Sequence, residues 1–327
     1  MEYLYLTLGL ALILLGANYL TEGAAAVAQR LRMPEFVIGL TIVAVGTSMP
    51  ELTVSLLSAI EGKSSMAIGN VLGSNIFNAL LIGGVCALIC PIALTRGNIR
   101  RDIPICFAAS ALLWVLASDR ALGLGTADRI GRMEGIALLL LYVGFVWVSI
   151  REGRKEVMSK QGAQDAADDT EKVKPRPVWL AVVMIAGGLA GLIYGGEVFL
   201  NNATAIARAW GVSEGVIAIT LVAGGTSLPE LASSVVSMFK GKAEMAFGNI
   251  VGSNIANILL ILGLSATVSP LTTGGLTAID FGMVTASAAM LFLAAFTFRK
   301  KALDRWEGAI FLLVYVLYVY YLVCHAH

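Results

Sequence analysis

The chain has 327 residues, of which 57% are hydrophobic and 14% charged, with a formal net charge of +1 and a mean hydropathy of +0.81. Soluble domains run at about 45–50% apolar and about 25% charged, so this composition excludes an ordinary soluble domain and points to a membrane protein. The balanced charge, with no basic patch interleaved with aromatics, excludes nucleic acid as a partner.

In chain order, ten apolar segments are predicted to cross a hydrocarbon core of ~30 Å as helices. They fall at roughly 3–21, 33–60, 65–90, 103–118, 133–150, 178–200, 212–239, 243–269, 279–298 and 306–323. The first carries Glu2 with no Lys or Arg ahead of it, so it lacks the basic start of a signal peptide and reads as a retained span. The second holds GTSMPEL at 46–52, and the third holds GNVLGSN at 69–75. Cys86 and Cys90 share a helical face in the third, but no His or acid accompanies them. Like Cys106 and Cys324, they read as packing or lipid-facing residues. The fifth and sixth segments are separated by a polar linker at 151–177, the one long polar stretch. Its Asp165, Asp168 and Asp169 lack the spacing and turn glycine of an EF-hand loop. The sixth segment contains Glu197, read as a helix-end or interhelical contact in preference to a vestibule or proton-binding group. The seventh holds GTSLPEL at 225–231 and the eighth GNIVGSN at 248–254. Glu22, Glu35 and Glu214 fall at membrane boundaries and are expected to be solvated. His325 and His327 form a frayed tail.

Basic residues set the orientation. Of the 23 Lys and Arg, 18 fall in loops on the side reached after the first span. Both termini are therefore expected outside a cell inner (plasma) membrane, with the 151–177 linker cytoplasmic.

Residues 39–80 and 218–259 are two copies of one motif at a constant offset of 179, with 23 of 42 pairs identical. The identities include polar residues set in apolar stretches: Thr47/Thr226, Ser48/Ser227, Glu51/Glu230, Asn70/Asn249, Ser74/Ser253, Asn75/Asn254 and Asn78/Asn257. Residues 1–150 and 178–327 thus form two repeats of five spans each. An odd span count makes the second copy enter the membrane in the opposite direction. The expected fold is an all-α integral membrane protein of ten transmembrane helices, built as two inverted five-helix repeats with broken helices at the midplane.

The motifs carry a definite chemistry. Pro50 lacks an N–H and clashes with the preceding turn, so the helix breaks near Gly46. Carbonyls from about Ala44 to Thr47 then lose helical partners, which a bilayer tolerates only around protein or a polar cavity. Thr47, Ser48 and Glu51 converge on one side of that break, and Ser55 continues it. Asn70, Ser74 and Asn78 recur every four residues on one face of the next span. The second copy repeats this with Thr226, Ser227, Glu230, Ser234, Asn249, Ser253 and Asn257. Two carboxylates among hydroxyl, amide and carbonyl oxygens suit hard cations such as Ca²⁺ and Na⁺. The absence of Cys and His argues against zinc or copper. One Ca²⁺ neutralises two carboxylates, as do two Na⁺ or two protons.

GTSMPE with GNVLGSN, and GTSLPE with GNIVGSN, resemble the two alpha repeats of the sodium/calcium exchangers, in the cation/Ca²⁺ antiporter superfamily. The resemblance covers essentially the whole chain. It implies ten helices around four central ion sites, with spans 1 and 6 gliding past the core to switch access. It implies that Glu51, Glu230 and the carbonyls of Thr47 and Thr226 hold Ca²⁺. Ala44, Ser48 and Ser74 on one side, and Ala223, Ser227 and Ser253 on the other, are implied to hold Na⁺, with Asn78 at the centre. The potassium-dependent branch and some prokaryotic members of the resembled family carry Asp where this chain has Asn257; by that resemblance the neutral Asn78 and Asn257 disfavour K⁺ co-transport. Three Na⁺ for one Ca²⁺ would leave the two-carboxylate site at +1, making exchange electrogenic. The linker is too short for the large regulatory domain of animal exchangers.

The expectation is therefore a secondary transporter, not an enzyme, needing no cofactor and no obligatory protein partner. Its partners are Ca²⁺, Na⁺ and the lipid bilayer. The alternative keeps the fold and both glutamates but couples Ca²⁺ to protons; the serines beside each Glu favour Na⁺, because a proton needs no extra oxygen ligands. A passive channel does not require inverted repeats, and an intramembrane hydrolase would need a substrate groove that the sequence does not suggest.

Overall fold

The computed structural model describes residues 1–120, 123, 128–164, 177–211, 223–297 and 301–325. Asp165, Asp168, Asp169, Glu214 and His327, and the start of the expected seventh span at 212–222, lie outside the described residues.

The first helix, α1 (Glu2–Leu31), ends where Arg32 turns left-handed at φ 51°. Pro34 then caps α2 (Glu35–Thr47), which meets α3 (Met49–Ile60) at a bend of 48°. Pro50 lies in the first turn of α3, where its missing N–H costs no helical hydrogen bond. There follow α4 (Ser64–Ile89), α5 (Ile103–Leu116), α6 (Arg132–Gln164) and α7 (Val178–Ala209). A short helix α8 (Ala223–Gly225) precedes α9 (Leu228–Phe239), and then come α10 (Ala243–Val268), α11 (Ala278–Ala294) and α12 (Arg305–His325).

Six of these helices are long and apolar enough to cross a membrane, and the bent pair α2–α3 makes a seventh. Two expected spans take shorter forms among the described residues. The 279–298 segment becomes the 17-residue α11, started by a Thr277–Asp280 capping box. At 1.5 Å per residue α11 covers about 26 Å, short of the ~30 Å core. The described end of 212–239 becomes the 12-residue α9, whereas α5 continues a π-helical turn at Asn98–Asp102 and so begins ahead of the expected 103–118 segment. The linker differs as well, because α6 runs on through residue 164 before the described chain stops.

Burial orders the bundle. In α4 and α10, 72% and 83% of the most apolar window is buried, against 17–33% in α1, α6, α7 and α12. The two motif-bearing helices are thus the centre. The outer helices α1 and α7 pair antiparallel along a glycine seam. A Cβ on Gly16 would come within 2.7 Å of the Gly188 carbonyl and the Leu192 nitrogen, and one on Gly9 within 2.7 Å of the Phe199 nitrogen. Small residues allow this backbone approach, which compensates for the missing hydrophobic drive between helices in lipid.

The all-helical expectation needs one amendment. Four two-residue strands pair antiparallel: β1 (Ile92–Ala93) with β4 (Ala302–Leu303), and β2 (Arg129–Ile130) with β3 (Leu271–Thr272). They join loops between helices, where backbone groups need partners that no helix supplies.

Candidate cation site

The break between α2 and α3 sits at Ser48, and its repeat mate Ser227 occupies the break between α8 and α9. Their backbones match, at φ −81°, ψ 11° and φ −88°, ψ 8°. Both lie in the sparsely populated bridge region that recurs at functional positions. Each break places its glutamate in the first turn of the helix that follows, where the exposed N–H groups favour a negative charge.

The two halves are stitched together reciprocally. Ser48 Oγ donates to Glu230 Oε1 at 2.8 Å, and Ser227 Oγ donates to Glu51 Oε1 at 2.8 Å. Ser74 Oγ adds a longer contact to Glu51 Oε1 at 3.4 Å. Both carboxylates are buried, at 0% and 1% exposure. An ionised carboxylate at that depth is costly unless compensated. Yet Glu51 Oε2 and Glu230 Oε2 receive no hydrogen bond from the protein. Ser253 Oγ, Thr226 Oγ1, Asn78 Oδ1 and Asn257 Oδ1 are also buried without partners. The carboxylate and amide oxygens are acceptors, the hydroxyls can accept, and Asn78 Nδ2 is a donor without a partner beside them; a cluster so rich in unmatched oxygens suits a cation.

The remaining expected residues fall as follows. Thr47 is buried and neighbours Glu230, and its hydroxyl reaches Asn249 Oδ1 at 3.3 Å. Thr226 neighbours Glu51 across the opposite break. Ala44 is fully buried, and its carbonyl keeps a helical partner, the Ser48 N–H at 3.0 Å. Pro50, four residues on, offers no N–H to the Gly46 carbonyl, toward which the Ser48 N–H also points. Ala223 opens the short helix α8. Asn78 lies within a π-helical turn at Phe77–Ile82, and Asn257 opens the matching turn at Asn257–Leu262. Such turns inside α-helices are frequent at functional sites.

Asn70, Asn249 and Asn75, three residues flagged by identity, turn out to be scaffold, whereas the Oδ1 of Asn254, the mate of Asn75, is buried without a partner. Asn70 Nδ2 donates to the Glu51 carbonyl at 3.2 Å and to Ser55 Oγ at 3.0 Å. Asn249 Nδ2 does the same for the Glu230 carbonyl, Ser233 and Ser234, at 3.4, 3.0 and 2.9 Å. Asn75 Nδ2 donates to the Asn254 carbonyl at 3.3 Å, and Asn75 Oδ1 accepts from Asn257 Nδ2 at 3.1 Å. Asn70 and Asn249 hold the glutamate-bearing helices against α4 and α10, and Asn75 ties α4 to α10. Their four-residue spacing along with Ser74 and Asn78 hid this division of labour, because one face of a helix can meet two neighbours.

Other expectations are corrected. Glu22 and Glu35 are not simply solvated: Lys240 Nζ approaches Glu22 Oε1 at 2.7 Å, and Lys242 Nζ approaches Glu35 Oε1 at 3.2 Å. Glu197 makes no hydrogen bond or ion pair among the described residues. It lines a cavity of about 530 Å³ whose wall also includes Pro50, Thr226 and Pro229. The four cysteines are unpaired. Among the described residues no group of three or more His, Cys, Asp and Glu comes together.

The family described as sodium/calcium exchanger protein matches residues 1–151 and 180–324. The chain is 34% identical over 321 residues to the putative antiporter CaxA of Alkalimonas amylolytica, spanning 98% of each. It is 32% identical over 345 residues to the sodium/calcium exchanger MaX1 of Methanosarcina acetivorans, spanning 97% of each. Its fold is similar to that of the sodium-calcium exchanger NCX_Mj soaked with 10 mM Na⁺ and 10 mM Sr²⁺, with a TM-score of 0.80 at 29% identity over 97% of this chain and 96% of that one.

Proposed function

The chain belongs to the sodium/calcium exchanger family, and from that premise we propose that it couples Na⁺ influx to Ca²⁺ extrusion by alternating access through the Glu51–Glu230 site. The observation that carries this reading is the pair of buried carboxylates. Each is held on one oxygen by a serine of the other half and left without a protein donor on the second.

The chemistry follows from charge. The empty site carries −2, which opposes its exposure to a low-dielectric barrier. Ca²⁺ brings it to zero. Na⁺ competes for the same oxygens, with the serine and asparagine acceptors supplying the extra ligands that a monovalent ion needs. Three Na⁺ in place of one Ca²⁺ leave +1, so each cycle moves one charge, worth about 2.3 kcal/mol per 100 mV. Neutral Asn78 and Asn257 supply no third acid, in keeping with exchange independent of K⁺. Ca²⁺ ligation is assigned to Glu51, Glu230 and the backbones of Thr47 and Thr226. The Na⁺ positions are assigned to Ala44, Ser48 and Ser74, and to Ala223, Ser227 and Ser253.

The ten-span inverted arrangement completes this reading, with α5, the 212–239 segment and α11 as the remaining spans. Two features support it. Each strand pair joins loops that the charge pattern assigns to one face, β1–β4 cytoplasmic and β2–β3 external. The Glu22–Lys240 and Glu35–Lys242 pairs likewise tie the last turns of α1 and the start of α2 to the α9–α10 turn, which the charge pattern also puts on the cytoplasmic face. The glycine seam favours movement of α1 and α7 as one body past the core.

The test is ⁴⁵Ca²⁺ uptake into Na⁺-loaded proteoliposomes with external Na⁺, K⁺ or choline. Uptake that requires an outward Na⁺ gradient and ignores K⁺ is expected. Uptake driven by a pH gradient alone would assign protons as the coupling ion and overturn the Na⁺ reading.

A further inference from the structure

We propose that Glu197 forms an antechamber site, at the external mouth of the protein, that captures hydrated inorganic cations on their way to Glu51 and Glu230. This rests on the exchanger reading above and adds a residue that the two repeat motifs do not contain.

Glu197 lies on α7, an apolar helix whose best window has a mean hydropathy of 2.0. A carboxylate on such a helix needs a counter-charge or water. No ion pair or hydrogen bond engages it among the described residues, and its surface is exposed. The water-sized space beside it is the cavity of about 530 Å³, lined also by Pro50, Thr53, Leu200, Thr226 and Pro229. Pro50 and Pro229 immediately precede the two site glutamates, and Thr226 neighbours Glu51. The cavity wall therefore carries the residue that precedes each site glutamate in the chain together with Glu197, while Glu51 and Glu230 themselves lie behind that wall.

Its place along the helix gives the face. Glu197 is beyond the midpoint of α7 (Val178–Ala209), toward the end that the charge pattern puts outside. The repeat mate of Glu197 is Asn18, a neutral amide on α1. Inverted repeats exchange the roles of α1 and α7, so an acid guards the external mouth and an amide the cytoplasmic one. A negative charge on a low-dielectric wall focuses the field and raises the local cation concentration. Salt weakens the effect, because the mouth is open to solvent.

The test uses right-side-out and inside-out membrane vesicles from cells expressing the full chain, assayed for Na⁺-dependent ⁴⁵Ca²⁺ flux. With Glu197→Gln, the KM for Ca²⁺ at the external face is expected to rise about three- to tenfold at low ionic strength. The effect should fall on KM rather than on the maximal rate, shrink in high choline chloride, and spare the cytoplasmic face. Glu197→Asp should restore most of the wild-type KM. An unchanged external KM, or an equal and salt-independent rise at both faces, would overturn the antechamber. Absence of Na⁺-dependent flux in the wild type would instead overturn the exchanger reading.

Discussion

Replacing Glu51 by Gln separates charge from shape. The amide keeps an oxygen at the position where Ser227 donates at 2.8 Å, so the stitch between the halves survives. What disappears is one of two charges in a site that is 0–1% exposed. The site falls from −2 to −1, and bound Ca²⁺ then leaves an uncompensated positive charge. Removing one partner of a buried charge pair costs about 3–5 kcal/mol. At 1.4 kcal/mol per tenfold, Ca²⁺ affinity should fall by about 10²- to 10⁴-fold. Glu230→Gln should do the same, because Ser48 holds that carboxylate in the mirrored way. The assay is ⁴⁵Ca²⁺ uptake into Na⁺-loaded proteoliposomes, with thermal unfolding of the purified variant to show that the fold is intact. Uptake within threefold of wild type by a folded Glu51→Gln protein would refute the reasoning.

Ser48→Ala removes a hydrogen bond to a charged group, worth about 1.5–3 kcal/mol, together with one oxygen ligand; the apparent Na⁺ affinity should drop about tenfold or more in Na⁺ titrations of uptake, and an unchanged Na⁺ curve would place this serine outside the ion path. Gly16→Ala puts a methyl group within 2.7 Å of the α7 backbone, an overpacking that costs about 1–3 kcal/mol. Its melting temperature should fall, whereas Gly187→Ala, with nothing within 4 Å of the new methyl, should leave it alone; equal melting of both would remove the seam from the account. Asn257→Asp adds a third acid where Oδ1 has no partner, so the monovalent-ion dependence of uptake should change and K⁺ should begin to stimulate. An unaltered ion profile would put residue 257 beyond the site.

The candidate site was legible because its residues break local rules twice at the same spacing. Glu51 and Glu230 are acids in apolar spans, each preceded by a proline that interrupts its helix, and the structure brings both carboxylates under the other half's serine. Span lengths were harder to read. Hydropathy sees only that 279–298 is apolar, whereas the Thr277–Asp280 capping box and the end at Ala294 are local backbone choices. The strand pairs escaped notice because two residues carry no periodic signal. The salt bridges of Glu22 and Glu35 depend on which loops share a face, which is tertiary information. The cavity beside Glu197 is tertiary information too: the sequence context is an apolar helix, and only the packed neighbours form the wall. The roles of Asn70 and Asn249 as supports followed from geometry, since a four-residue repeat of amides does not say which neighbour each one meets.

The most direct test of the central claim, that Ca²⁺ and Na⁺ contend for one pair of carboxylates, is equilibrium ⁴⁵Ca²⁺ binding to the purified protein titrated with Na⁺ against choline. The account predicts that Na⁺ alone displaces Ca²⁺, more steeply than a one-for-one exchange, and that Glu51→Gln and Glu230→Gln each abolish the displaceable component. Ca²⁺ that stays bound through the Na⁺ titration, or that binds equally well to both variants, would contradict it.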